Sequence, residues 1–318
     1  MINSIFVLEG NKVKNITSAQ LQSLKSKGFV WVDIEAPSEE DFEHLKNIFP
    51  LHPLACEASV RKNSRPRVTE FDEHLFVVFH EPFKGGKHVS FLQLDLFIGT
   101  NFLITTHSKS LVSIDTIKKN FEENPKLFKK GPSFIAYYLL DHIVDNYFPI
   151  MDDIDKMLDD VEDEVFINGS DGVLNNIFSL RRYVLELRKK VVPEREVLST
   201  LARFDSKFID QASTIYFRDI YDHTIRISEM VDAYRDLLTS VLDVYLSAQS
   251  KKLNEVMKVL TVIATIMMPL TLITGFYGMN INFPEVQAFG VNSYWFILGI
   301  MLVIAFAMVV YFKKKKWW

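Results

Sequence analysis

Hydrophobic and polar positions change rhythm twice along the chain, and each rhythm predicts a different kind of structure. Up to about Lys130, short apolar runs of strand length (Phe29 to Ile34, Leu75 to Phe79, Phe102 to Thr106) alternate with helical patterns near Ser38 to Ile48 and Lys109 to Phe121. An α/β domain over residues 1–130 follows, with a hairpin punctuated by Pro82, Gly85 and Gly86. Residues 131–250 shift to helix formers, with breaks expected at Asn168 to Gly172 and around Pro193, and with Pro149 starting or kinking a helix. Neither proline nor glycine occurs between Tyr216 and Pro269, so a single stalk helix of roughly 80 Å is expected there. The third region, 251–318, is apolar: from Val259 to Phe312 the only charged side chain is Glu285. It contains two stretches long enough to cross a bilayer, about 259–277 and 294–312, with a loop at 278–292 and a basic tail at 313–318.

Charge sets the orientation of those spans. Lys251, Lys252 and Lys258 precede the first and Lys313 to Lys316 follow the second, whereas the loop from Asn280 to Asn292 has no Lys or Arg. Positive charge stays inside, so both termini and the bulk of the chain are expected in the cytoplasm. The opening residues Met1 to Val7 lack a basic region and a long apolar core, unlike a secretory signal. Tyr294, Trp295, Tyr311, Trp317 and Trp318 suit the membrane interface. A net charge of −4 gives no case for a nucleic-acid partner. The single cysteine, Cys56, rules out an internal disulfide and fits a reducing compartment, most simply as a small buried apolar group.

The first span carries a distinct face. Asn254, Met257, Thr261, Ala264, Met268, Thr271, Gly275 and Gly278 recur at steps of three and four, which puts small, polar or flexible residues on one helical stripe. Close helix packing and a wetted interior both explain such a stripe; the polar Asn254, Thr261 and Thr271 favour the second. Immediately after it comes Tyr277-Gly278-Met279-Asn280, at the outer mouth in the orientation above. Gly278 suits the left-handed turn that ends many helices.

Gly-Met-Asn between two C-terminal spans, with Tyr277 before it, Pro284-Glu285 after it, a stalk upstream and Lys313 to Lys316 at the end, resembles the CorA family of magnesium channels over essentially the whole chain. The resemblance implies an α+β membrane protein: an inner-membrane homopentameric funnel with a cytoplasmic α/β domain, whose first spans line the pore and whose second spans ring them. It implies import of hydrated Mg2+, with Co2+ and Ni2+, down the electrochemical gradient, gated by cytoplasmic Mg2+; it implies no organic cofactor and no catalysis. Gly278, Met279 and Asn280 would form the selectivity filter, Asn254 an inner polar ring, and Met257 and Leu260 a hydrophobic constriction. Magnesium sheds its waters reluctantly, so a neutral ring of oxygens can select the hydrated ion without trapping it.

Two acidic features accompany the motif. Tyr216 to His223 resembles the family stretch whose aspartate binds regulatory magnesium, which makes Asp219 the matching residue; the loop Phe83 to His88 offers no acid as its partner. Pairing of Asp219 with Arg218 or a lysine of a neighbour is the alternative. Asp152, Asp155, Asp159 and Asp163 belong to a dense acidic run, either a solvated face or a cation reservoir. Lys313, Lys314, Lys315 and Lys316 mark the membrane boundary, where they would meet anionic lipid headgroups and could tune flow. Within transport, a zinc or broad-specificity divalent carrier remains open. Other classes fit less: a non-conducting membrane-tethered scaffold has no use for the stripe, and the Asp-Asp-x-x-Asp word at Asp159 to Asp163, an isoprenoid-synthase pattern, lacks a second acidic word.

Overall fold

The computed structural model describes residues 2–9, 12–15, 29–61, 64–85, 88–167, 171–203, 206–279 and 292–317. They fall into two compact units, Met1–Val241 and Leu242–Trp318.

The first unit is built on a seven-stranded sheet: β1 (Ile2–Glu9), β2 (Lys12–Asn15), β3 (Val30–Glu35), β4 (Arg67–Glu70), β5 (Leu75–Gly85), β6 (His88–Ile98) and β7 (Phe102–His107). Their order across the sheet is β2-β1-β3-β7-β6-β5-β4. Among the described strands only β3 and β7 run parallel, with Val30 opposite Phe102 and Ile34 opposite Thr106. Both are buried along nearly their whole length because both faces of the sheet centre are covered. Val30, Val32, Ile34, Phe97 and Ile104 share a core with Phe42, Leu45 and Ala55 of α1 (Glu39–Lys46) and α2 (Pro53–Val60). The alternate residue Trp31 points the other way, edge-on to Phe121 of α3 (Val112–Glu123) at 5.7 Å.

Asp33 is the exception in this apolar centre, with no solvent exposure. Burial alone would raise its carboxyl; His107 Nε2 at 3.2 Å and Lys118 Nζ at 2.7 Å outweigh that and hold it below the ordinary value. The expected hairpin is β5–β6, and Pro82 lies within β5 opposite Phe91. Strand β4 pairs with β5 only from Leu75 to Val78, so Pro82 sits where β5 has become an edge and needs no outward donor.

Helices α4 (Pro132–Asp145), α5 (Phe148–Ile167), α6 (Asp171–Arg203) and α7 (Gln211–Tyr277) follow. Pro149 falls in the first turn of α5, where its missing N–H is no loss. Asn168 to Ser170 lie outside the described residues, between the end of α5 and the start of α6. The break expected around Pro193 does not occur: α6 runs through it for 33 residues. Val191, Glu194, Val197 and Leu198 are buried on either side, and that packing outweighs the one backbone bond that proline removes. Cys56 is buried in α2, and burial pushes its thiol up to about 11, so it behaves as an inert core residue.

The second unit comprises the remainder of α7 and α8 (Asn292–Lys314). The uninterrupted helix expected from the absence of proline and glycine is present and longer than expected, at 67 residues, with Pro269 inside it. Both helices are long and apolar enough to cross a membrane, and only 6% of the most apolar window of each is buried. Lys313 and Lys314 close the last turn of α8.

Candidate ion pathway and metal-binding cluster

Every residue of the sequence-derived stripe from Asn254 to Gly275 is exposed on α7: Asn254, Met257, Thr261, Ala264, Met268, Thr271 and Gly275, with Leu260 beside them. The threonines define its chemistry. Thr261 Oγ1 donates to Met257 O at 2.7 Å, and Thr271 Oγ1 donates to Met267 O at 2.8 Å. Each hydroxyl proton is thus used within the helix, and the stripe presents oxygen lone pairs outward. Such a surface accepts hydrogen bonds from water, the group that a hydrated cation turns outward.

Two grooves lie along this face. The one toward the end of α7, about 490 Å³, is lined by Met268, Thr271, Leu272, Gly275, Phe276 and Met279. The other, about 710 Å³, includes Asn254, Met257, Thr261 and Lys251, with Trp317 of the tail beside them. Trp317 is held against Phe312, ring centroids 5.8 Å apart, and Lys313 to Lys316 are exposed.

Gly278 ends the helix for a different reason from the one its type suggests. Among the described residues the only glycine with positive φ is Gly131, so the left-handed turn expected at Gly278 is absent. A Cβ there would lie 2.8 Å from the backbone oxygen of Thr274, whose carbonyl already accepts the Gly278 N–H at 2.9 Å. Space, not backbone handedness, demands glycine. Met279 is exposed beside it, and Asn280 lies outside the described residues.

In the first unit, Asp219 is exposed and forms no ion pair among the described residues. Its charge acts instead on α4. It raises the carboxyl of Asp141, after burial and Asp145, and it contributes to the raised hydroxyl of Tyr137. Ligand atoms of Asp141, Asp145 and His223 lie within 4.8 Å of one another, and the His223 Nδ1 is buried without a hydrogen-bond partner. Two carboxylates that repel each other beside a bare imidazole nitrogen suit a divalent cation. The sequence reading missed Asp141, Asp145 and His223. A signal was available: Asp141 and Asp145, like Asp219 and His223, stand four apart on one helical face.

Asp152, Asp155, Asp159 and Asp163 are exposed along one side of α5, while Ile154, Leu158 and Val161 of the same helix are buried. Asp153 is drawn out of this array by an ion pair with Lys84 of β5 at 2.5 Å.

Comparison with known proteins places these features in context. The family model described as CorA-like Mg2+ transporter protein matches residues 26–314. The cobalt/magnesium transport protein CorA of Thermotoga maritima is 39% identical over 293 residues, covering 90% of this chain and 83% of that protein. The cobalt/magnesium transport protein CorA of Methanocaldococcus jannaschii is 26% identical over 93% of each chain. A complete structure of the CorA magnesium transporter from Methanocaldococcus jannaschii superposes with a TM-score of 0.88 at 24% identity, covering 100% of this chain and 99% of that one.

Proposed function

This chain belongs to the CorA-like Mg2+ transporter family, and from that premise we propose that it imports hydrated Mg2+, with Co2+ as a second cargo, through a pore lined by the exposed stripe of α7. The observation that carries this is the exposed face from Asn254 to Gly275, whose Thr261 and Thr271 hydroxyls turn acceptor lone pairs outward, leading to Gly278-Met279-Asn280. The names of relatives that carry cobalt and magnesium support both ions.

The assembly we infer is a homopentamer in the inner membrane, with both termini cytoplasmic. The apolar spans bury almost nothing within one chain, so lipid and neighbouring copies must cover them. Around the axis, five Asn280 side chains would present neutral oxygens to the ion's water shell, and five helix ends would add their negative dipoles at the mouth. Met257 and Leu260 would form a constriction that closes by dewetting and opens when the helices splay. No energy-supplying site is needed: two charges crossing 100 mV release roughly 4.6 kcal/mol.

Regulation would come from the first unit. Asp219, Asp141, Asp145 and His223 would bind cytoplasmic Mg2+ and bias the closed state by relieving carboxylate repulsion. The exposed Asp152, Asp155, Asp159 and Asp163 would raise the local cation concentration, screened beyond about 8 Å in physiological salt. Lys313 to Lys316 would hold anionic headgroups at the inner leaflet.

Ion uptake by liposomes, comparing wild type with Asn280→Ala for Mg2+, Co2+ and Zn2+, tests the filter. The variant is expected to lose Mg2+ flux or selectivity while remaining oligomeric. Unaltered transport would remove Asn280 from the filter, and a wild type that prefers Zn2+ would replace the cargo.

A further inference from the structure

The first unit contains a buried set of titratable groups that the transport pathway does not use. His80 of β5 and Glu194 of α6 are each 1% exposed. His80 Nδ1 and Glu194 Oε1 face each other at 3.8 Å, and neither has a hydrogen-bond partner among the described residues. Their other polar atoms are engaged. Lys190 Nζ, one turn before Glu194 on α6, lies 2.9 Å from His80 Nε2, and Tyr147 Oη donates to Glu194 Oε2 at 2.7 Å. Lys190 also stands over the Phe91 ring of β6 at 5.9 Å. The four groups come from three places: β5, α6, and the corner between α4 and α5, where Tyr147 sits 1% exposed.

The geometry is unusual for a purely structural contact. Two orphaned polar atoms in a dry interior cost free energy unless a proton or a water joins them. An ammonium donating to His80 Nε2 fixes the neutral imidazole with its proton on Nδ1, aimed at Glu194. Whether the carboxyl also carries a proton then decides whether this dry interior must hold a desolvated carboxylate, a cost that the neighbouring Lys190 only partly offsets. We propose that His80, Lys190, Glu194 and Tyr147 form a proton-operated latch, which holds α6 against β5 and the α4–α5 corner while Glu194 is protonated and loosens as the surrounding solution becomes alkaline.

The window follows from the direction of each shift. Burial, partly offset by Tyr147 and Lys190, pushes Glu194 from 4.5 up to about 8. A carboxyl raised on folding contributes stability that is complete below its unfolded value and is lost as pH rises through its folded value. Burial and the neighbouring Lys190 push His80 from 6.5 down to about 3, so its contribution is complete above 6.5 and falls away only in acid. Burial also lowers Lys190. Between pH 6.5 and 8 the changing member is therefore Glu194. The latch rests on the packing of the first unit alone and is independent of which ion the pore carries.

Infrared difference titration of the full-length protein between pH 6 and 9 tests it, because a buried neutral carboxyl has a C=O band that vanishes on ionisation. A band titrating near pH 8 is expected in wild type and absent in Glu194→Gln. The band of Asp95, whose carboxyl burial pushes up to about 7, is expected in both and serves as the internal control. In parallel, the wild-type unfolding constant should rise up to about tenfold per pH unit more steeply than that of Glu194→Gln below about pH 8, and no more steeply above it. Should Glu194→Gln fail to fold, Tyr147→Phe removes the donor that lowers Glu194 and must move the band's midpoint to higher pH. An unchanged band in Glu194→Gln, or an unmoved midpoint in Tyr147→Phe, overturns the proposal.

Discussion

At the scale of single residues, Gly278 and Asp33 show how a side chain's surroundings decide its meaning. Gly278 was expected to supply a left-handed turn, but its role is to let the Thr274 carbonyl approach to where a Cβ would stand. Gly278→Ala should therefore displace the last turn of α7 and the Met279-Asn280 step, reducing flux tenfold or more in liposome uptake. Gly299→Ala in α8, outside the stripe, is the control within the chain, since its Cβ would meet nothing within 4 Å. Equal loss in both variants would point to helix packing between copies instead of the turn. Asp33 reads in sequence as a polar interruption of a strand; only the fold brings Lys118, 85 residues away, to its carboxylate.

Among the elements, α4 and α7 make the candidate metal-binding cluster, and neither contains it alone. Helix α4 brings Asp141 and Asp145, four apart, and α7 brings His223, with Asp219 one turn before it. Their convergence depends on the packing of Phe134 and Tyr137 of α4 on Tyr216 of α7, with ring centroids 5.5 and 4.9 Å apart. If the cluster senses Mg2+, Asp141→Asn should raise the Mg2+ concentration giving half-maximal protection from limited proteolysis about fivefold or more. Asp159→Asn on the exposed face of α5 should alter that midpoint only at low salt. Equal midpoints for wild type and Asp141→Asn would leave the cluster as a local carboxylate pair with no sensing role.

For the whole molecule, the decisive quantity is how little of the spans one chain can cover, 6% of each apolar window. Isolated in mild detergent, the protein should have a mass near five times the 36.8 kDa chain by native mass spectrometry. A single-chain mass with transport activity intact would sink the shared pore. On the proposed reading the stripe of α7 acts only when several copies face a common axis, because one helix cannot enclose water.

What the sequence determined was whatever depends on local periodicity and composition. The strand runs, the proline-free stalk, the two uncharged spans, the lysine asymmetry and the Gly-Met-Asn word are all properties of neighbours in the chain, and they carried the fold class and the family. Tertiary structure decided the rest. It set the parallel pairing of β3 with β7, whose register joins residues 72 apart. It left Pro193 inside an unbroken helix by packing both sides of it, and it brought Asp141 and Asp145 to His223 and His80 to Glu194. Each of these turns on the distance between groups far apart in sequence, which no local pattern encodes; burial then sets the charge each group can keep.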